Sequence, residues 1–225
     1  MVKHIMLAEQ ALGRPGCDNR TVSSEGTARA GGRRAVVVRL AGELFAQKGY
    51  RATTVREIAD AAGILSGSLY HHFDSKESIG DEILSAFIND VLADYRAAVT
   101  GATAGGEVAA PTDVLEQIIR STSTTLSRHR AALAMLQNDW SFFFAQPRFS
   151  YLRAALAEIE RTWVEQLERG KSLGLFRSDL DARLTYRLLR DVLWMPARWR
   201  AADGYSRDQV ADALLGLLFD GISCR

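Results

Sequence analysis

Apolar residues recur along this chain with the period of an α-helix. In residues 33–48 they fall three or four positions apart, on one helical face, and Gly49 follows as a residue that tolerates a left-handed conformation. Alternating β-branched residues bounded by turn signals, the pattern of strands, are nearly absent. The sequence therefore predicts an all-α protein.

Two short predicted helices follow, joined by a tight connection. Thr54 and Glu57 have the spacing of a capping box, which predicts a helix that begins there and is stopped by Gly63. A second helix is predicted over residues 66–73, with room for two turns. Asp74 is then predicted to cap a long amphipathic helix, which ends before the flexible stretch GATAGGEVAAP.

The remaining chain is predicted to be helical, whereas its start is not. Residues 13–32 are rich in small and polar residues. Such a segment buries too little apolar surface to offset the conformational entropy that it would lose on ordering, so we expect a flexible arm over residues 1–32. A small front domain is predicted at residues 33–80 and a larger one at residues 81–225. Further helices are predicted at about residues 113–129, 131–144, 150–170, 181–200 and 206–222.

Composition and charge narrow the class of protein. The chain has 225 residues, 47% hydrophobic and 24% charged, which supports a core and argues against a disordered protein. Its net charge is +1, and residues 1–80 carry eleven Lys and Arg against eight Asp and Glu. This weak asymmetry is compatible with nucleic-acid binding without demonstrating it.

Other classes are disfavoured by what the chain lacks. Cys17 and Cys224 have no CxxC spacing, so neither a disulfide framework nor a zinc site is predicted. No apolar run approaches the roughly 20 residues of a membrane span, and the opening segment carries charges, so we expect a cytoplasmic protein without a membrane partner. A helical acyl-CoA enzyme is disfavoured because the chain has no GxSxG or HExxH motif and no nucleophile-base pair.

The two short helices match the pattern of a helix-turn-helix, in which the second helix enters the major groove of DNA. That helix opens with Ser66, Gly67 and Ser68, whose small side chains let the helix end approach phosphates and base edges. The pattern predicts a DNA-binding domain.

His71 and His72 raise the question of a metal site. Adjacent residues on a helix point about 100° apart, whereas helical metal pairs need a spacing of three or four, and neither histidine has a histidine or cysteine at that spacing. No metal is therefore predicted. Two alternatives to DNA contact stay open: His72 could pack or cap beside Phe73, and the ring of Tyr70 could pack and leave only its hydroxyl free.

The front of the chain resembles TetR-family repressors in two stretches, ATTVREIADAAG at residues 52–63 and GSLYHHFDSKE at residues 67–77. The resemblance implies a TetR-like fold, with a three-helix DNA-binding domain and a larger helical domain that binds a ligand and dimerises. The chain departs from the family at Leu65, where serine or threonine is usual. The resemblance implies phosphate contacts by Thr54, Tyr70, His72 and Lys76 and base contacts by Ser66, Gly67 and His71.

A basic and aromatic stripe lies on the predicted helix at residues 181–200. At 100° per residue, it comprises Arg183, Arg187, Arg190, Trp194 and Arg198. One interpretation is a solvated face paired with Asp179, Asp181 and Asp191, which we favour for the first two arginines. An indole between two guanidiniums instead suits an anionic ligand with a fused ring, and Pro196 would bend the helix beside it. We therefore predict ligand binding by Arg190, Trp194 and Arg198, with aromatic residues such as Trp140 available to line a cavity.

The rear of the chain is similar to the KstR-type branch of the TetR family in actinobacteria. The similar stretches are QPRFSY at residues 146–151, GLFRSDLD at residues 174–181 and RDVLW at residues 190–194. The resemblance implies repression of steroid (cholesterol) ring-degradation genes, relieved by a CoA thioester of a bicyclic steroid remnant, with no cofactor. A fatty acyl-CoA, an aromatic compound or a drug-like compound stays open as the effector.

The last predicted helix carries small and aliphatic residues suited to close helix packing. Pairing with a second copy would give a homodimer that matches a palindromic operator. An ordinary terminal core helix is the alternative. The residues concerned are Val210, Leu214, Gly216, Leu217 and Leu218.

Overall fold

The structure, a computed structural model, describes residues 22–101, 109–194 and 204–222. It confirms the all-α fold, because these ranges form nine α-helices and no β-strand. Residues up to 35 form a separate unit from residues 36–225, and the packing described below is that of the second unit. The helices are α1 Val22–Lys48, α2 Val55–Ala61, α3 Ser66–Leu69, α4 Lys76–Gly101, α5 Pro111–Arg128, α6 Arg130–Ala145, α7 Tyr151–Ser172, α8 Ala182–Trp194 and α9 Arg207–Ile222, with a 3-10 turn at Pro147–Phe149.

The first helix is longer than the sequence predicted. A helix was predicted from about residue 33, but α1 begins at Val22, whereas the flexible arm expected over residues 1–32 stays a prediction. Extending an existing helix adds a hydrogen bond for each residue that is ordered, whereas starting one costs several residues, so a helix can continue into a stretch of poor composition. Residues 1–21 lie outside the described residues, and the predicted division at residues 32 and 80 stays a prediction.

The ends of α2 are formed as predicted. The Thr54 hydroxyl accepts a hydrogen bond from the N–H of Glu57 at 3.2 Å, and the Glu57 carboxylate accepts one from the N–H of Thr54 at 2.8 Å. Gly63 has a φ of +64°, and the next N–H, of Ile64, donates to the carbonyl of Ala59 at 3.0 Å. This left-handed ending turns the chain sharply towards α3.

The helix after this turn is shorter than predicted. Two turns were expected over residues 66–73, but α3 ends at Leu69. Beyond it, the N–H groups of His71 and His72 donate to carbonyls three residues earlier, so the chain tightens into turns. Leu69 and Phe73 are buried, and they anchor this segment to the core.

The start of α4 also differs from the prediction. Asp74 was expected to cap the helix, but the cap is Ser75, whose hydroxyl accepts a hydrogen bond from the N–H of Ser78 at 3.2 Å. The hydroxyl of Ser78 accepts in return from the N–H of Ser75 at 3.3 Å. The helix therefore begins one residue later than an Asp74 cap would set it.

The larger helices pack around α5, which contacts α4, α6, α7, α8 and α9. The buried interior includes a polar contact, since Trp163 Nε1 donates to the Tyr95 hydroxyl at 2.9 Å. Burial raises the pKa of Tyr95 to about 12. Within the described ranges, every helix is too short or too polar to cross a membrane.

Some predicted features cannot be placed. The helix predicted over residues 181–200 is described only as far as Trp194, so Pro196 and Arg198 lie outside the described residues. Cys17 and Cys224 also lie outside them.

Candidate DNA-binding surface and effector cavity

The segment from Ser66 to Phe73 presents several of the predicted DNA-binding residues to solvent. Gly67 and His71 are exposed, and 55% of the Tyr70 surface is exposed, so the alternative in which its ring packs and only its hydroxyl is free is wrong. Ser66, Ser68 and His72 are half-buried. The segment therefore combines a fixed inner face with an accessible outer face.

Thr54 lies at the exposed start of α2. Its hydroxyl takes part in the cap and also contacts Glu57 Oε2 at 3.0 Å. Hydrogen bonds from Lys48 and from Thr54 lower the pKa of Glu57 to about 2, so the capping carboxylate is ionised at neutral pH. The cap holds Thr54 in one position at the surface.

Lys76, at the start of α4, has a role that the sequence did not predict. Its Nζ donates to the carbonyls of Tyr50 at 3.0 Å, Thr53 at 2.9 Å and Arg51 at 3.4 Å. It also lies 4.6 Å from the centre of the Tyr50 ring, and burial lowers its pKa. An ammonium has three N–H groups. All three point to the connection between α1 and α2, so in this structure Lys76 holds that connection and directs none of them towards a phosphate.

Tyr50, in the same connection, is not among the functional residues that the sequence predicts. Its ring is completely buried, with ring centres of Phe45 at 4.9 Å and Phe143 at 4.8 Å. Its N–H donates to Asp139 Oδ2 at 3.0 Å, and Asp139 is the residue at which the backbone of α6 leaves helical geometry. Lys76 and Asp139 thus hold the two sides of the same residue.

A cavity of about 360 Å³ lies between α6, α7 and α8. Arg190 borders it, and its guanidinium donates twice to Asp191 Oδ1, at 2.9 and 2.8 Å. Trp194 is half-buried, and its carbonyl accepts a hydrogen bond from Gln137 at 3.0 Å. The lining residues are Leu136, Gln137, Trp140, Leu156, Arg190, Asp191 and Trp194.

Trp140 extends the aromatic side of this cavity. It stacks on Phe144 with ring centres 4.0 Å apart, and 41% of its surface is exposed. The sequence offered it only as one of many aromatic residues. The sequence feature that could have placed Trp140 on the same side of α6 as Gln137 is their spacing of three, because residues three apart on a helix share a face.

The rest of the predicted basic stripe behaves differently. Arg183 and Arg187 were expected to pair with nearby acids, but within the described part of the chain neither has an ion pair. Asp181 instead accepts a backbone N–H at the start of α8 at 3.0 Å, and Asp191 pairs with Arg190. Both arginines are exposed.

A second surface, on α8 and α9, is apolar and open to solvent. It includes a cavity of about 460 Å³ bordered by Val192, Val210 and Leu217. Leu214 and Leu218 are buried, and Leu214 also lines the inner side of this cavity, so α9 has both a core side and an apolar solvent-facing side. We call this the apolar surface, and its exposed members are Leu184, Leu188, Val192, Tyr205 and Leu217.

Two family models match the chain. One, described as bacterial regulatory proteins of the tetR family, matches residues 37–83, and the other, described as a tetracyclin repressor-like C-terminal domain, matches residues 108–222. The chain belongs to the TetR family. It is thus a transcriptional regulator rather than an enzyme, and TetR repressors bind operator DNA and dimerise.

Individual TetR relatives are similar over most of their length. The HTH-type transcriptional repressor KstR2 of Rhodococcus jostii is 42% identical over 89% of this chain and 96% of its own. The structure of the ketosteroid transcriptional regulator KstR2 of Mycobacterium tuberculosis is 39% identical, with a TM-score of 0.79, over 86% of this chain and 96% of its own. AibR in complex with isovaleryl coenzyme A and operator DNA is 20% identical, with a TM-score of 0.69 over 83% of this chain and 98% of its own, and shares the fold.

The contacts of Lys76 predict a role in stability. In Lys76→Met the aliphatic stem is kept, but three carbonyl oxygens lose their donor, so we expect the free energy of unfolding in urea to fall by about 1.5–3 kcal/mol. The control is Lys48→Met, which removes an exposed ion pair with Glu57 and should cost at most about 1 kcal/mol. Both proteins are compared at one concentration because a dimer's stability depends on it. Equal losses would contradict the structural role of Lys76.

Proposed function

We propose that this TetR regulator is a dimeric repressor of ketosteroid ring-degradation genes, released from a palindromic operator by a CoA thioester of a bicyclic steroid remnant. The observation that carries the proposal is the cavity lined by Arg190, Trp140 and Trp194, in a chain similar to KstR2 over most of its length. A regulator of chromosomal genes acts beside the chromosome, so the cytoplasm is the proposed location.

The DNA-binding half of the proposal uses the exposed face after α2. As the second helix of a helix-turn-helix, α3 would enter the major groove, with the neighbouring turns against the backbone. Tyr70 and Thr54 are exposed and are proposed to contact phosphates. The other proposed DNA-contacting residues are Ser66, Gly67, Ser68, His71 and His72. Lys76, whose N–H groups are bound to backbone carbonyls, is proposed to act indirectly, by holding the connection between α1 and α2.

The effector half uses the cavity beside α8. A guanidinium suits phosphate groups, and an indole suits a flat or fused ring. Arg190 is at present paired with Asp191, whose side chain is exposed, so an incoming phosphate could replace that carboxylate and leave it hydrated. Arg198 is proposed as a further phosphate contact, although it lies outside the described residues.

Release from DNA is proposed to pass through α6. This helix carries Gln137 and Trp140, which line the cavity, and between them Asp139, which holds the N–H of Tyr50. An effector that binds better when α6 is displaced would therefore also favour a displaced connection between α1 and α2. Such a population shift requires differential affinity of the effector for the two states.

Dimerisation is proposed to use the apolar surface of α8 and α9. Apolar patches of this kind on a soluble domain commonly mark an interface, and a two-fold axis would bring the same patch of a second copy onto it. Two copies related in this way would present two α3 helices to the two halves of a palindrome.

A different effector is the second candidate. The cavity of about 360 Å³ is near the lower end of the roughly 300–1,000 Å³ usual for ligand sites, which favours a ligand smaller than a steroid CoA thioester. AibR, with the same fold, is known in complex with isovaleryl coenzyme A and operator DNA, so an acyl-CoA of another kind fits the architecture.

The test of the function is operator binding followed by release. Purified protein is titrated by fluorescence anisotropy against duplexes from the regions upstream of neighbouring operons, at several fixed salt concentrations. We expect sequence-selective binding that weakens as salt rises, and release by a steroid-derived CoA thioester but not by free coenzyme A. No selective binding would contradict the repressor. Release only by another acyl-CoA or by a drug-like compound would contradict the steroid effector alone.

Arg190 and Trp194 are predicted to affect release but not DNA binding. Arg190→Met removes charge-assisted hydrogen bonds, so the effector concentration for half-release should rise by about tenfold or more, with operator affinity unchanged. Trp194→Leu should act in the same direction through lost stacking. Arg187→Met is the control, because this arginine is exposed on the same helix and does not line the cavity. Unaltered release in Arg190→Met would assign that residue to the solvated surface.

The apolar surface predicts the assembly. In Leu188→Glu a charge replaces a side chain that is 60% exposed in the single chain, so we expect little change in folding but loss of the dimer in sedimentation velocity. Operator affinity should fall because one copy engages only half of the palindrome. Leu173→Glu is the control at an exposed leucine beyond the end of α7. A Leu188→Glu protein that remains dimeric would place the interface elsewhere.

A further inference from the structure

Leu65 is the most exposed large apolar side chain among the described residues, with 80% of its surface open to solvent. It stands immediately before α3, with an extended backbone at φ −70° and ψ 144°, as the N-cap residue of that helix. Its carbonyl accepts the first hydrogen bonds of α3, from Ser68 at 2.9 Å and Leu69 at 3.3 Å. The backbone of Leu65 is therefore fixed, while its side chain is uncovered.

Leucine at this position is unfavourable for stability in two respects. Ser, Thr, Asp or Asn would cap the helix with a side-chain oxygen, whereas Leu65 makes no side-chain cap. A leucine in water also exposes apolar surface that folding normally buries. Single exposed apolar residues are ordinary elsewhere on a protein, but this one occupies the N-cap position of the proposed recognition helix.

The space around the Leu65 side chain is open enough for a macromolecule to approach it. An added Cβ at Gly67 would meet no atom within 4 Å, and Ser66 and Ser68 are small. Leu69 points into the core and holds the segment in place. The leucine side chain thus projects from a rigid support with only small neighbours on the helix behind it.

We propose that Leu65 contacts the 5-methyl group of a thymine in the major groove and so helps to determine operator sequence. Among the base edges, the major groove presents hydrogen-bond donors and acceptors and one apolar group, the methyl of thymine. Leucine cannot form hydrogen bonds with these donors and acceptors. Covering them with leucine would remove their water without replacing its hydrogen bonds. This inference rests on the proposed DNA-binding function and deepens it.

The test first needs an operator, which is selected from a randomised duplex library by the full-length protein. Each thymine of the selected duplex is then replaced in turn by deoxyuridine, which lacks the methyl and keeps every hydrogen-bonding group. We expect one thymine in each half-site at which the replacement weakens binding by about fourfold, the value for one buried methyl group. Binding by Leu65→Ala should be insensitive to that replacement, whereas Leu65→Met, which is still apolar, should keep part of the sensitivity.

The possible outcomes distinguish a failure of the Leu65 contact from a failure of the proposed DNA-binding function. If a sequence is selected but no deoxyuridine replacement matters, or if Leu65→Ala is as sensitive as the parent, Leu65 does not contact a thymine methyl. If no sequence is selected, the DNA-binding function itself fails, and the inference fails with it. Thermal unfolding checks that Leu65→Ala is folded, and Leu173→Ala, at another exposed leucine, should retain the full sensitivity.

Discussion

The contacts that fix Tyr50 are the interactions on which the placement of α2 and of the segment from Ser66 to Phe73 depends. Its ring is buried among phenylalanines of α1 and α6, its N–H is bound by Asp139, and its carbonyl is bound by Lys76. The connection between α1 and α2 is therefore fastened to both α4 and α6. Thr54 and the start of α2 follow directly from this connection, so buried and hydrogen-bonded residues outside the two short helices set the position of the helix-turn-helix. In the proposed mechanism, a displacement of α6 would move Asp139 and, through Tyr50, the connection to α2.

The helix α8 shows how one short element can take part in three different environments. Tyr186, Leu189 and Leu193 are buried in the core, while Arg190 and Trp194 border the cavity. Leu188, on a third side, is exposed on the apolar surface. A period of 3.6 residues distributes neighbouring positions around the helix, which makes this division possible in thirteen residues. Effector binding and assembly would thus be physically adjacent, and a ligand in the cavity could alter the surface on which a second copy docks.

The proposed recognition segment combines firm anchoring with an unusual exposed composition. Leu69 and Phe73 bind it to the core, so its outer face is presented without much conformational freedom. That face carries a leucine, a glycine, a tyrosine and a histidine and lacks a row of cations. Affinity for DNA would then come from a limited set of backbone contacts, and selectivity from shape and apolar contact at base edges.

The sequence alone determined what depends on neighbours along the chain. The helical period, the capping box of Thr54 and Glu57, the left-handed Gly49 and the end of α2 at Gly63 each involve residues within a few positions of each other, and the structure confirmed them. The family resemblance rests on several short stretches of this kind, and the comparisons confirmed the family. The tertiary structure decided the rest. Tyr50 and Asp139 are 89 residues apart, and Lys76 reaches carbonyls 23 to 26 residues away, so no local pattern could pair them. The position of Arg190 beside a cavity likewise depends on how α6, α7 and α8 pack, although its ion-pair partner, Asp191, is its neighbour in the chain. Local propensity determines where helices form. The partners of charged side chains that are distant in sequence are determined only when the helices pack together and bring those groups out of water.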